Sequence, residues 1–176
     1  MEPVTSDVLL EFLSRLGDRF PHAGVVYLLG GSALCLLGNS RVTQDVDYTY
    51  ELEPGVALAF ERAVVELATE MRLDLENVPL AEFIPLPPLA RERRRPIGRF
   101  GLLDAYIFDP YSIALSKIAR GFEADLEDVV FMLNTDLIEF AELERLFNAV
   151  LPDAPKADID RREFTAYFEE IRRRAG

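Results

Sequence analysis

The sequence predicts an α+β fold, with short strands and helices alternating over most of the chain and helices alone in its last part. Three observations support this prediction. An apolar run rich in strand formers ends abruptly at Gly30-Gly31, an alternating polar and apolar stretch follows at 45–51, and helix boundary signals recur after Asp109.

Composition fits one globular domain over residues 1–176, because nearly half of the residues are apolar. The 19 basic and 31 acidic residues give a net charge of −12, which argues against broad electrostatic binding to nucleic-acid backbones. The N-terminus lacks the features of a secretory signal, and no apolar segment approaches bilayer-spanning length. We therefore expect a cytoplasmic protein with no membrane partner.

The single cysteine and the single histidine restrict the chemistry of any metal site. Cys35 lies in the apolar run LCLL, where a small buried side chain is expected, and no internal disulfide can form. His22 has no catalytic partner nearby and is given no role. A zinc site built from His and Cys cannot be assembled, so carboxylates would hold a metal ion, which favours Mg²⁺ or Mn²⁺.

The first elements are a helix, a strand and a second, short helix. The segment SDVLLEFLSRLGDRF predicts an amphipathic helix with Thr5 or Ser6 as its N-cap. The apolar run at 25–29 predicts a buried strand that stops at the glycine pair. We expect the short helix to be capped by Ser32 and ended by Gly38.

The alternating stretch DVDYTYE at 45–51 predicts a strand that sends Asp45 and Asp47 to one face. A helix is predicted over 54–71, with Leu58, Val65 and Leu67 among its apolar positions. The segment RLDLENV then predicts another strand, on which Asp74 and Glu76 share a face.

The segment 79–101 contains five of the eleven prolines and the charged cluster RERRR, so we expect a mobile loop or a loosely paired hairpin. Arg91 and Arg93–Arg95 are candidates for binding RNA or a nucleotide tail, although a solvated loop is the default interpretation. The same alternatives apply to Arg99.

The last part of the chain is predicted to be helical. A strand in GLLDAYIF leads to Asp109-Pro110, which predicts an N-cap followed by proline at the first helical position, and that helix ends at Gly121. Three further helices are predicted in ADLEDVVFML, LIEFAELERLFNAV and DRREFTAYFEEIRRR.

Two aspartates at positions i and i+2 of a strand converge on one side, at a separation suited to hard cations with oxygen ligands. The glycines after the first strand let the backbone approach a bulky anion, and the following helix offers N–H groups to phosphate. Nucleotidyl transfer needs this combination of metal ions and phosphate contacts, and it favours three carboxylates.

Each feature alone is common. A glycine pair after a strand is usually a turn, and an Asp-x-Asp on a strand is often a solvated edge. The order of these features is more specific than any one of them. Within about two dozen residues, the chain runs from the strand through the turn Gly30-Gly31-Ser32 and the short helix to Asp45 and Asp47.

The segment LLGGSALCLLGNSRVTQDVDYTY resembles the signature of the DNA polymerase beta-like nucleotidyltransferase superfamily. Its form R-x-T-x-D-x-D, beginning at Arg41, together with the downstream SKIARGFEADLEDVVFML, is similar to bacterial proteins related to the AbiEii toxin family and other minimal nucleotidyltransferases. In those proteins a lysine helix precedes an R-x(4)-D-x-x-D helix, and this pattern is matched by Lys117, Arg120, Asp125 and Asp128.

The resemblance implies a nucleotidyltransferase-type mixed β-sheet flanked by helices, with a core at about 23–110 and a helical C-terminal extension at about 110–176. It further implies Mg²⁺ or Mn²⁺ ions bound by Asp45 and Asp47. A third carboxylate would join them and take the proton from the attacking hydroxyl. Asp74 is the first candidate, Asp104 the second and Glu76 the third.

The resemblance also implies a nucleoside triphosphate bound by Gly30, Gly31 and Ser32, with Arg41 among the nucleotide-binding residues and Lys117 approaching the phosphates. Asp125 and Asp128 are either partners of Lys117 or Arg120 or members of a surface ion network. These alternatives stay open on the sequence alone.

The function implied is transfer of a nucleoside monophosphate to a hydroxyl of an RNA end, a protein or a small molecule. A toxin held by a cognate antitoxin protein is one form that the resemblance suggests. The alternative function is a weakly active or inactive binding or assembly module with the same fold.

Overall fold

The computed structural model describes residues 3–176, and the chain divides into two compact units. The first unit runs up to Val78 and resumes at Arg95–Ile107, while the second comprises Pro79–Arg94 and Phe108–Gly176. The first unit carries the whole β-sheet.

The first unit combines five strands with three helices. Its elements in chain order are α1 (Ser6–Arg19), β1 (Gly24–Leu29), α2 (Gly30–Leu36), β2 (Asp45–Glu51), α3 (Ala57–Met71), β3 (Asp74–Asn77), β4 (Arg95–Phe100) and β5 (Leu103–Ile107). The strand order is β3-β2-β1-β5-β4. Since β1 pairs antiparallel with β2 but parallel with β5, and β2 pairs parallel with β3, the sheet is mixed, as the resemblance implied.

The second unit is helical. Its elements are α4 (Leu80–Phe83), α5 (Pro110–Arg120), α6 (Glu123–Asn134), α7 (Phe140–Val150) and α8 (Arg161–Ala175). The boundary signals of α5 are confirmed, because Asp109 accepts from the backbone N–H groups of Tyr111 and Ser112, and Gly121 ends the helix at φ +71°. Within residues 3–176, no helix has the length and apolarity needed to span a bilayer.

The N-terminal helix follows the sequence pattern closely. Thr5 is the N-cap of α1, and its Oγ1 accepts from the backbone N–H of Val8 at 3.2 Å. Leu9, Phe12 and Leu16 are buried, which confirms the predicted amphipathic face.

Two details of the predicted helices are wrong. α2 begins at Gly30, with Leu29 as its N-cap, so Ser32 lies inside the helix instead of capping it. On α3, Leu58 and Val65 are 75% and 63% exposed. The buried side of α3 is formed by Phe60, Ala63, Val64 and Leu67.

The segment 79–101 is more regular than its prolines suggested. It contains α4, a 3₁₀ turn at Arg91–Arg93 and the strand β4, which pairs antiparallel with β5. Pro96 lies on an edge strand, next to a register shift between Pro96 and Gly98, and both are places where a sheet accommodates proline. The expectation of a loop or loose hairpin is therefore wrong for 95–100.

Arg93 is part of a buried ion pair, which corrects the default of a solvated position. Its Nε and Nη2 donate to the two carboxylate oxygens of Asp109 at 2.9 and 2.7 Å, and its Nη1 donates to the Pro88 carbonyl at 2.7 Å. The Asp109 side chain is fully buried, so this bidentate pair stabilises the charge that caps α5.

We expect Arg93→Met to lower the free energy of unfolding by about 2–3 kcal/mol, because the buried Asp109 charge loses its counterion. The control is Lys156→Met, since Lys156 forms an exposed pair with Asp153 and should cost less than about 1 kcal/mol. Urea denaturation of both variants measures the difference, and equal midpoints would contradict the assignment.

Candidate functional site

The glycine turn between β1 and α2 lies directly against Asp47. Gly30 has φ +61°, a conformation that side chains with a Cβ rarely adopt. A Cβ placed on Gly30 would lie 2.4 Å from Oδ2 of Asp47, closer than any real contact. Glycine therefore suits this position for two reasons: it adopts the positive φ without strain, and it leaves room for the Asp47 carboxylate.

The loop before β2 closes on the same turn. A Cβ placed on Gly31 would lie 3.3 Å from Thr43 Oγ1 and 4.0 Å from Arg41 Nη2. Thr43 Oγ1 donates to the backbone carbonyl of Asp45 at 3.2 Å. The glycine turn and the loop that precedes Asp45 thus meet in space, and the Arg41 guanidinium lies near the glycine pair.

Ser32 stabilises this turn from inside. Its side chain is completely buried, and its Oγ donates to the Leu29 carbonyl at 3.0 Å, across the junction of β1 and α2. The hydroxyl therefore ties the start of α2 to the end of β1.

The two aspartates of β2 each face a carboxylate on β3. In the parallel β2–β3 pair, Asp45 is in register with Asp74, and Asp47 with Glu76. Partners in register point to the same face of a sheet, so all four side chains share one face. Asp45, Asp74 and Glu76 are exposed, and Asp47 is half-buried.

Asp104 lies on the same face but elsewhere in the sheet. Its partner on β1 is Val25, whereas the β1 partner of Asp47 is Leu29. At about 3.3 Å per residue and about 4.8 Å per strand, Asp104 is separated from Asp47 by about 13 Å along the strands and about 10 Å across them. Of the three candidates for a third carboxylate, the two on β3 are the neighbours of Asp45 and Asp47.

The donor set on this face suits Mg²⁺ or Mn²⁺, which prefer carboxylate oxygens. Like charges directly opposite each other on paired strands weaken the pairing. A divalent cation between the strands would offset this repulsion. Among the side chains of the described part of the chain, no group of three or more His, Cys, Asp or Glu forms a ready-made metal cluster.

Lys117 belongs to the second unit, where it is 4% exposed. Its Nζ donates to Asp128 Oδ2 at 2.8 Å and lies 3.7 Å from Asp125 Oδ1, while Arg120 Nε lies 3.2 Å from Asp125 Oδ2. Asp125 and Asp128 are 3% and 2% exposed. They are therefore partners of Lys117 and Arg120, and the alternative of a surface network is wrong for these aspartates.

One residue near the site was given no role by the sequence pattern. Glu61 of α3 accepts from the hydroxyl of Tyr48 at 2.8 Å and from Nδ2 of Asn77 at 2.9 Å. In the sequence, Glu61 is one polar residue among the apolar positions of a predicted helix. Helical periodicity does not show that its partners are a tyrosine and an asparagine on neighbouring strands.

A mixed sheet whose first strand leads through a glycine turn to a helix, with paired carboxylates on the next strand, is the arrangement expected of a nucleotidyltransferase-like protein. The crystal structure of an antigenic nucleotidyltransferase-like protein from Paracoccidioides brasiliensis is similar in fold, with a TM-score of 0.50 and 18% sequence identity, covering 76% of this chain and 79% of that one. The chain belongs to the family described as a nucleotidyltransferase of unknown function, DUF6036, which matches residues 8–175.

No curated protein matches this sequence. The family confirms the expected relationship to nucleotidyltransferases, and the similar structure confirms the expected α+β fold. The closer relationship to AbiEii-like toxins stays a prediction.

Replacing Lys117 tests the buried ion network. We expect Lys117→Met to lower the free energy of unfolding by about 3 kcal/mol, because the buried Asp125 and Asp128 carboxylates both lose the Lys117 ammonium, while Arg120 stays 3.2 Å from Asp125. The double variant Lys117→Met/Asp128→Asn should recover part of this loss, since it also removes the buried charge that Lys117 contacts at 2.8 Å. Urea denaturation measures both, and a Lys117→Met variant as stable as the unmodified protein would refute the network's role.

Proposed function

We propose that the protein is a metal-dependent nucleotidyltransferase that moves a nucleoside monophosphate from a nucleoside triphosphate to a hydroxyl acceptor. The observation that carries the proposal is the arrangement of carboxylates around the glycine turn. Asp47 lies against Gly30, and the register of β2 with β3 puts Asp74 and Glu76 beside the two aspartates of β2.

In this proposal Asp45, Asp47 and Asp74 hold Mg²⁺ or Mn²⁺. The ions supply charge stabilisation for the triphosphate and for both ends of an in-line displacement. The residues fit this cofactor because their donors are carboxylate oxygens that share one face of the sheet.

The chain's own residues bind the triphosphate and move the proton. The glycine turn lets phosphate oxygens approach the backbone at Gly30 and Gly31, and the exposed Arg41 beside them supplies positive charge. Lys117 is included as a phosphate-binding residue on the resemblance of its helix alone.

The reaction itself is a substitution at the α-phosphorus. The acceptor oxygen forms a bond to this phosphorus while the bond to the oxygen that bridges the α- and β-phosphates breaks, and pyrophosphate leaves. Asp74 takes the proton of the attacking hydroxyl, because it is the exposed neighbour of Asp45 on β3. Glu76, opposite Asp47, is the alternative proton acceptor.

The decisive experiment incubates the protein with α-labelled nucleoside triphosphates and Mg²⁺ or Mn²⁺, and follows transfer of label to RNA ends, proteins and small molecules together with pyrophosphate release. We expect Asp45→Asn, Asp47→Asn and Asp74→Asn each to reduce turnover at least about a hundredfold, since each removes a carboxylate that holds the ions. Asp104→Asn is the matched control, because it removes a carboxylate on the same face but far from the others.

The proposal fails if the protein shows no transfer to any acceptor and no metal-dependent triphosphate binding. It also fails if Asp104→Asn and Asp47→Asn reduce turnover equally. Binding without turnover would instead support the interpretation of a nucleotide-binding module.

A second prediction uses two glycines that both have positive φ, Gly30 at 61° and Gly38 at 97°. Gly30→Ala and Gly38→Ala each place a Cβ at positive φ, which should cost about 1–2 kcal/mol of stability. Only Gly30→Ala displaces the Asp47 carboxylate, because nothing lies within 4 Å of a Cβ at Gly38. We therefore expect isothermal titration to show weaker Mn²⁺ binding for Gly30→Ala alone, and equal affinities of the two variants would contradict the contact with Asp47.

A further inference from the structure

The face of the sheet opposite the carboxylates carries a hydrogen-bonded bridge between β2, β3 and α3. Tyr48 and Asn77 are in register on the paired strands, and each donates a hydrogen bond to a different oxygen of the Glu61 carboxylate, at 2.8 and 2.9 Å. Because strand side chains alternate between faces, Tyr48 and Asn77 lie on the face opposite Asp47 and Glu76. One carboxylate thus joins two strands behind the candidate metal site.

β3 needs such a bridge because it is weakly held by its own side chains. It is a four-residue edge strand in which Asp74, Glu76 and Asn77 are exposed and Leu75 is only half-buried. On the carboxylate face, Asp74 and Glu76 lie opposite Asp45 and Asp47 of β2. The repulsion between these like charges weakens the pairing of β3 with β2. Apart from Leu73, buried just before the strand, little apolar packing anchors this edge.

We infer that Glu61, Tyr48 and Asn77 form a clamp that fixes the register of β3 against β2 and thereby positions Asp74 and Glu76 beside Asp45 and Asp47. The three clamp residues are positioning residues, since none of them lies on the carboxylate face. The inference rests on the proposed function, because the positions of Asp74 and Glu76 affect activity only if these carboxylates bind metal ions.

The helix that carries Glu61 is also the connection between the two strands that the clamp joins. α3 is the segment that links β2 to β3, and Glu61 lies in its second turn, so its two hydrogen bonds tie the crossover helix to both strands that it connects. Tyr48 is 4% exposed. Little solvent therefore competes for the hydrogen bond that its hydroxyl donates to Glu61.

The backbone shows where loosening of the clamp would be detected. The amide of Val78, directly after β3, donates to the carbonyl of Tyr48 at 2.8 Å. If the clamp holds the end of β3 on β2, this amide should exchange with solvent much faster when Glu61 can no longer accept hydrogen bonds.

The test compares three variants of the full chain. Glu61→Met keeps the bulk of the side chain but removes both acceptors, and Glu61→Gln keeps an amide that can still bond to Tyr48 and Asn77. Glu66→Met is the matched control on the same helix, since Glu66 is exposed and lies 4.0 Å from Arg19 Nη1. The readouts are Mn²⁺ affinity from electron paramagnetic resonance and hydrogen exchange at Val78.

We expect Glu61→Met to weaken Mn²⁺ binding about tenfold and to speed exchange at Val78 about tenfold. Glu61→Gln should restore most of both values, and Glu66→Met should change neither. A merely structural role would lower global stability without a selective effect on Mn²⁺ affinity and on Val78.

The outcomes separate the clamp from the proposed function. If the unmodified protein binds no Mn²⁺, the proposed function fails, while exchange at Val78 still decides whether the clamp exists. If the unmodified protein binds Mn²⁺ and Glu61→Met changes neither Mn²⁺ affinity nor Val78 exchange, the clamp is refuted. Loss of both properties in Glu66→Met as well would also refute it.

Discussion

The parallel pairing of β2 with β3 is the constraint on which the candidate site depends. It sets Asp74 opposite Asp45 and Glu76 opposite Asp47, and a shift of one residue would turn these side chains to the other face. The antiparallel pairing of β1 with β2 adds the second constraint, because it brings Asp47 against the turn that ends β1. Two strand registers thus bring together the glycine turn and a set of carboxylates.

The second unit is organised around buried charges. Asp109 caps α5 and is neutralised by Arg93, and Lys117 near the end of the same helix is enclosed by carboxylates of α6. Removing one partner of such a pair strongly destabilises the fold, because the other charge then stays buried. The pairs of Lys117 and Arg120 with Asp125 and Asp128 join α5 to α6, whatever role Lys117 has toward a nucleotide.

Local signals in the sequence predicted most of the elements but not their neighbours in space. Thr5, the Asp109-Pro110 pair and Gly121 mark helix ends through short-range hydrogen bonding and backbone preference, which a sequence shows directly. The strand character of 95–100 was missed because prolines and arginines obscured a pairing that only β5 provides. The burial of Asp125 and the contacts of Glu61 depend on packing between elements, so no local pattern contains them.

A crystal structure of the protein with Mn²⁺ and a non-hydrolysable nucleoside triphosphate would test the central claim most directly. The account predicts anomalous scattering from Mn²⁺ between Asp45, Asp47 and a carboxylate of β3, with phosphate oxygens beside Gly30. Mn²⁺ and triphosphate bound away from β2 and β3, or a crystal that takes up neither, would contradict it.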